Sequence, residues 1–179
     1  MQTLLLHSCC GPCSTTVLER LSPQFSITVF FYNPNIYPES EYEKRLDAQK
    51  TVIAELNVAS PIACIAEPYD TAPFCAVSAG LESKPERGER CTRCFTLRLE
   101  QTAQQAAKLG FDQFGTTLTV SPHKNAALIN QIGTALGEQY GVTYLSADFK
   151  KQDGYRRSVE LAKALGLYRQ SYCGCRWAI

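Results

Sequence analysis

The stretch TLLLHSCCGPCSTTVLERL (residues 3–21) carries the first decision about the fold. Its apolar run, residues 3–8, is short and ends abruptly, the form of a buried strand. Gly11 and Pro12 interrupt the pattern. Ser14 and Thr15 are then placed to cap a helix over residues 16–21. A strand that passes through a tight turn into a helix is the opening unit of an α/β fold.

The rest of the chain repeats that unit. Residues 26–32 (SITVFFY) are β-branched and aromatic, as a buried strand requires, and NPNIYP (33–38) is a loop by its Asn and Pro content. Further strands are expected over 61–66, 114–120 and 142–146. Helices are expected over 39–56, 70–79, 94–109, from about 122 to 140, and over 155–165, with 80–89 a charged loop. Gly110 and Gly166 stand where two of these helices should stop. The alternation predicts one domain over residues 1–179, a mostly parallel sheet flanked by helices, with a Cys-Gly-Cys tail. In such sheets ligands sit beyond the carboxyl ends of the strands. Residues 9–13, past the first strand, and 116–124, past the fourth, are therefore the expected site.

The 179 residues are 45% hydrophobic and 20% charged, with a formal charge of +1. A chain so nearly neutral has no global field to draw it onto nucleic acid or a membrane, so an RNA partner needs a local patch. No apolar run approaches the ~20 residues of a membrane span, and the N-terminus lacks the pattern of a signal peptide. A cytoplasmic location is expected.

Nine cysteines are an excess for that compartment, where disulfides rarely persist and cysteines serve metals or redox chemistry. Seven fall in three clusters: Cys9, Cys10 and Cys13; Cys91 and Cys94; Cys173 and Cys175. Cys64 and Cys75 are single and read as core. Cys91-Thr-Arg-Cys94 places two thiols on one face of a helix start. Cys10-Gly-Pro-Cys13 has the letters of a thioredoxin dithiol, but that motif leaves Cys9 and the other two clusters without a task. Cys9, Cys10, Cys91 and Cys94 together give four thiolates, the ligand number of a 4Fe–4S cluster. A four-cysteine zinc site fits the same count, although adjacent cysteines suit one small ion poorly. Cys13 is left to hold a second metal, support the cluster or pack. A disulfide between Cys173 and Cys175 closes a small strained ring, easily reduced, which suits an electron relay.

The strings HSCCGPCST (7–15), NPNIYP followed by EYEKR (41–45), ERCTRCFTLRL (89–99), FGTTLTVSPHKN (114–125), DFKKQDGYRRS (148–158) and YRQSYCGC (168–175) together resemble QueH-type epoxyqueuosine reductases. The resemblance implies a single-domain Rossmann-like fold akin to the nucleotide α-hydrolase or PP-loop ATPases. It implies removal of the epoxide oxygen of epoxyqueuosine at the tRNA wobble position, the last step to queuosine. It also implies that Cys9, Cys10, Cys91 and Cys94 hold the 4Fe–4S cluster and that Cys173 and Cys175 form a redox-active disulfide. An additional iron is implied, for which Cys13 is the first candidate ligand and Asp148 a weaker one. The chain departs from PP-loop ATPases at residues 8–14, which have too few glycines to cradle a pyrophosphate. ATP is not expected as a partner, and no glycine-rich dinucleotide loop follows a strand. Cobalamin is not expected either.

Turning an epoxide into an alkene and water takes two electrons and two protons. The Cys173/Cys175 dithiol is one store, refilled by an electron donor that the sequence does not identify. His123 and Asp148 are candidate catalytic groups. Arg90, Arg93, Lys124, Lys150 and Arg156 are candidate contacts to the tRNA carrying epoxyqueuosine. Two other readings remain open: a metal-free thiol–disulfide oxidoreductase using Cys10 and Cys13, and a non-catalytic zinc-binding RNA module.

Overall fold

The structure is a computed structural model and describes residues 1–178. Five strands, β1 (Gln2–His7), β2 (Phe25–Phe31), β3 (Ala63–Ala66), β4 (Gln113–Thr116) and β5 (Thr143–Tyr144), form one all-parallel sheet in the order β3-β2-β1-β4-β5. Six helices accompany them: α1 (Gly11–Leu21), α2 (Glu39–Glu55), α3 (Ala72–Ser78), α4 (Glu89–Leu109), α5 (Ala126–Tyr140) and α6 (Gly154–Ala164). The expected Rossmann-like α/β sheet is present. The chain first builds outward from β1 through β2 to β3, then returns to add β4 on the other side. The switch point therefore falls between β1 and β4, where a crevice opens at their carboxyl ends.

The central strand is buried on both faces. Leu4 and Leu6 pack with Val17, Leu18 and Ile27 of one core layer, while Leu5 packs with Leu99, Phe114 and Ile129 of the other. This explains the unbroken leucine run: a strand covered on both sides has no polar face to show. No described helix is long and apolar enough to cross a membrane.

Several elements differ from their sequence expectations, and two of the differences shape the site most. First, α1 starts at Gly11 rather than residue 16, with Cys10 as an extended N-cap (φ −170°, ψ 158°). Proline is favoured at the first helical positions because its missing N–H has no partner there anyway. The Ser14 and Thr15 hydroxyls, expected as caps, instead donate to the Gly11 and Pro12 carbonyls at 2.8 Å each. Gly11 is required by the packing: a Cβ there would stand 2.8 Å from the Ala48 carbonyl carbon and oxygen of α2.

Second, β4 ends at Thr116, and residues 118–120 form a 3₁₀ turn rather than more strand. Threonine hydroxyls cause the break by offering the backbone alternative partners. The Leu118 amide donates to Thr116 Oγ1 at 3.1 Å, and the Phe149 amide donates to Thr119 Oγ1 at 3.2 Å. The fifth strand also shrinks to two residues at the sheet edge. By contrast α4 is longer than expected, beginning at Glu89, so Cys91 and Cys94 both lie in its first turns. Gly110 ends it in the left-handed region (φ 74°), as its position predicted.

Candidate active site

At the β1–β4 crevice lies a cavity of about 750 Å³, and six of the seven clustered cysteines line it. Cys9 enters from the end of β1, Cys13 from the first turn of α1, Cys91 and Cys94 from α4, and Cys173 and Cys175 from the tail. Cys10 is fully buried behind Cys9, their sulfurs 3.8 Å apart. The sulfurs of Cys9, Cys10 and Cys13 all lie within 4.8 Å of one another. The N-cap placement of Cys10 produces this closeness, because positions N-cap and three residues on share a helix face.

Hydrogen bonds with Cys10 and Cys13 hold the Cys9 thiol well below its ordinary pKa, against the effect of burial. The same bonds, with Cys10 first and Cys9 second, raise Cys13. For Cys10 the bond with Cys13 pulls down, but the bond with Cys9 and burial prevail and leave it at about 12. Three thiols thus share one readily formed negative charge. On α4, burial raises Cys94 while Arg98 works against that rise. The Arg87 amide donates to Cys91 Sγ at 3.3 Å, an orientation that uses a left-handed backbone at Arg87 (φ 67°). Thiolate sulfur is a soft donor suited to iron–sulfur clusters and zinc, and this set could hold a metal ion or cluster.

The tail reaches the cavity because α2 and the NPNIYP loop grip its backbone. Arg45 is 2% exposed and donates to the carbonyls of Cys173 (2.9 Å) and Tyr172 (3.0 Å). Its remaining nitrogen pairs with Glu41 at 2.8 Å, and Glu41 in turn accepts from Tyr168 Oη. The Tyr37 amide donates to the Gly174 carbonyl at 2.9 Å, and Ile36 bridges Cys175 in antiparallel fashion. The two tail thiols hydrogen bond to each other. That bond, opposed by burial, brings Cys173 down to about 6 and pushes Cys175 up. All nine cysteines are free thiols.

The remaining candidates separate. His123 lines the cavity, its Nδ1 3.1 Å from Arg87 Nη2. Lys124 lines it too. Asp148 does not; it binds Lys150, whose ammonium also donates to the Thr119 and Lys124 carbonyls. Lys150 therefore ties loops together. Arg90 is buried, and its Nη1 is held by the carbonyls of Leu81, Glu82 and Lys84, so it does not present itself to a phosphate. Arg93 and Arg156 lie on outer helix faces, paired with Glu89 and Glu160. His7 is fully buried between Thr116, Asn33 and the Tyr32 carbonyl. Burial, then the charge of Arg98, lowers it to about 4, which keeps it neutral and structural.

Arg45, Glu41, Tyr168 and Arg169 were not singled out from the sequence. A signal existed in the Glu41/Arg45 spacing of one helical turn, but the partners of Arg45 lie 127 and 128 residues away. Among the described residues lining the cavity, Arg45, Arg87, Arg90, Arg98, Lys124 and Arg169 stand against one carboxylate, Glu86.

Comparison with known proteins identifies the fold and the family. A solved protein described as a predicted subunit of a tRNA methyltransferase from Methanocaldococcus jannaschii shares the fold, with a TM-score of 0.56 at 12% identity over 91% of this chain and 75% of that one. Epoxyqueuosine reductase QueH of Streptococcus pyogenes is 44% identical over 98% of this chain and 70% of its own length. The protein of the same name from Thermotoga maritima is 39% identical over 100% of this chain and 91% of its own length. A family model described as epoxyqueuosine reductase QueH matches residues 4–179, and the chain belongs to that family of oxidoreductases.

Proposed function

We propose that this chain reduces epoxyqueuosine in tRNA to queuosine, with the cavity between β1 and β4 as its reaction chamber. The observation that carries the reading is the meeting of three sequence-distant cysteine clusters in one basic cavity. In this reading Cys9, Cys10, Cys91 and Cys94 hold a 4Fe–4S cluster, with Cys13 beside them as ligand for a further iron. The donor chemistry fits: soft thiolates from a strand end and a helix start surround a space walled by an excess of positive charge. Bound there, such a cluster supplies electrons one at a time.

The chain's own residues account for the rest of the balance. An epoxide and two thiols give an alkene, water and a disulfide, so oxidation of the Cys173/Cys175 dithiol yields both electrons and both protons. Arg45 holds that dithiol at the cavity wall. His123, paired with Arg87, is the titratable side chain nearest to serving the departing oxygen. Asp148 is withdrawn from that role by its place outside the cavity. Arg87, Lys124 and Arg169 are the basic side chains that meet anticodon-loop phosphates. The work is cytoplasmic in this reading, where free thiols persist, and needs neither cobalamin nor ATP. A metal-free Cys10/Cys13 dithiol enzyme is the weaker reading, since Cys10 is sealed off from solvent.

The test is anaerobic purification with iron and sulfide counts, followed by turnover of an anticodon stem–loop RNA carrying epoxyqueuosine. About four irons or more per chain and loss of one oxygen from the RNA by mass are expected. Cys10→Ser should lose the cluster, whereas Cys13→Ser should keep its sulfide. Undiminished turnover in a Cys173→Ser, Cys175→Ser double variant would remove the dithiol from the mechanism.

A further inference from the structure

Among the described residues, Arg98 is a buried cation without a carboxylate partner. It lies one helical turn past Cys94 on α4, is 4% exposed, and borders the cavity. Its hydrogen bonds are long and go to neutral acceptors: Nε to the Cys94 carbonyl and Nη1 to Asn33 Oδ1, both at 3.4 Å. Among the described residues no carboxylate lies within ion-pair distance of it. Arg45, equally buried, has Glu41 at 2.8 Å. Arg90, also without a carboxylate, has three carbonyls on one nitrogen and so has an evident task in holding residues 81–84.

Burial of an unpaired charge costs several kcal/mol, and a guanidinium cannot escape by losing its proton. The cost must be met by something negative in the cavity. The field of Arg98 falls on Cys9, Cys94 and Cys173 together, which span the strand end, the helix start and the tail. Lys124 also bears on Cys9 and Cys173, more strongly than Arg98, but Arg98 acts on Cys94 of α4 as well and is the more deeply buried of the two.

We propose that Arg98 is the counter-cation of the cysteine centre and sets its reduction potential. The inference rests on the cluster reading above and goes beyond it, since it assigns the electrostatic control to one side chain. A cluster held by four thiolates is anionic and gains a further negative charge on reduction. A fixed cation beside it favours the reduced form and raises the potential. Arg98 is a positioning residue for charge and touches no reacting atom in this account.

The experiment is a redox titration of the reconstituted protein, followed by electron paramagnetic resonance, for wild type, Arg98→Gln and Arg98→Lys. At a fixed solution potential the reduced-to-oxidised ratio should fall about tenfold in Arg98→Gln, equivalent to about 59 mV for one electron. Arg98→Lys, which keeps the charge, should recover most of it at equal iron content. An unchanged potential in Arg98→Gln, or equal shifts in both variants, would overturn the proposal. A second readout needs no cluster. In metal-free protein at a pH about one unit below 6, where the rate follows the thiolate fraction, alkylation of Cys173 followed by peptide mass should slow several-fold in Arg98→Gln and not in Arg98→Lys. An unaltered rate in Arg98→Gln overturns the proposal even where that variant fails to load iron. A wild-type protein that holds no cluster at all would instead sink the functional reading, with the alkylation result still deciding the charge assignment.

Discussion

Gly174 sits at φ +105° between two thiols with opposite proton affinities. A side chain there would be strained by the backbone alone, and its Cβ would also stand 2.9 Å from Arg45 Nη1. The glycine is what lets the tail pass close under the guanidinium. Its neighbour Cys173 is lowered to about 6, first by its hydrogen bond with Cys175 and then, after burial has opposed it, by the Cys175 amide and by Lys124 and Arg98. The thiolate form therefore dominates above that value. In metal-free protein the alkylation rate of Cys173 should rise with pH to half its plateau near pH 6. Cys64, expected in the core but exposed on β3, is raised by partial desolvation of its thiol and should react only at higher pH. A Cys173 profile like that of an ordinary thiol would mean that the pair does not share its proton in solution.

At the scale of elements, the site depends on two close approaches. Gly11 lets α1 meet the Ala48 backbone of α2, and that crossing fixes where Cys9, Cys10 and Cys13 point. Gly11→Ala should destabilise the protein by about 1–3 kcal/mol through overpacking, read from the urea midpoint. The second approach is the grip of α2 on the tail. Arg45→Met leaves the buried Glu41 carboxylate without its cation, at a cost of about 3–5 kcal/mol. Part of that loss should appear as local release of the tail, so trypsin should cut at Arg169 and Arg176 sooner than elsewhere. Equal cutting rates in wild type and variant would show that Arg45 does not hold the tail. The order of strands and helices was legible in the sequence because periodicity and glycine stops are local signals. The errors were local as well. Threonines 116–119 look like strand by their branching, yet their hydroxyls capture the backbone. Ser14 and Thr15 look like caps, yet Gly11-Pro12 can begin the helix earlier.

Over the whole molecule, a formal charge of +1 hides a strong separation of charge. Among the described residues six cations and one carboxylate border the cavity; Glu41 is buried behind it against Arg45, and most other acids lie elsewhere on the surface. Binding of an anticodon stem–loop should weaken steeply with salt. Replacing Arg87, Lys124 and Arg169 together by glutamine should reduce the slope of log K against log salt by about 2, at ~0.7 per single-strand phosphate contact. An unchanged slope would place the RNA on another face. Composition could not reveal this patch, because its members come from residues 45 to 169 and only the fold gathers them. The cysteine clusters were legible as clusters, but their meeting was not. The anchoring of the tail has a consequence for how chemistry and architecture can be told apart. Arg45 and the Tyr37 amide take hold of the carbonyls of residues 172, 173 and 174, while the Tyr168 and Tyr172 hydroxyls donate to Glu41 and to the Tyr37 carbonyl. The tail is addressed through its main chain and its tyrosines, and employed through its sulfurs. None of these anchors uses a sulfur, so serine at 173 and 175 removes the reductant while leaving its seat intact.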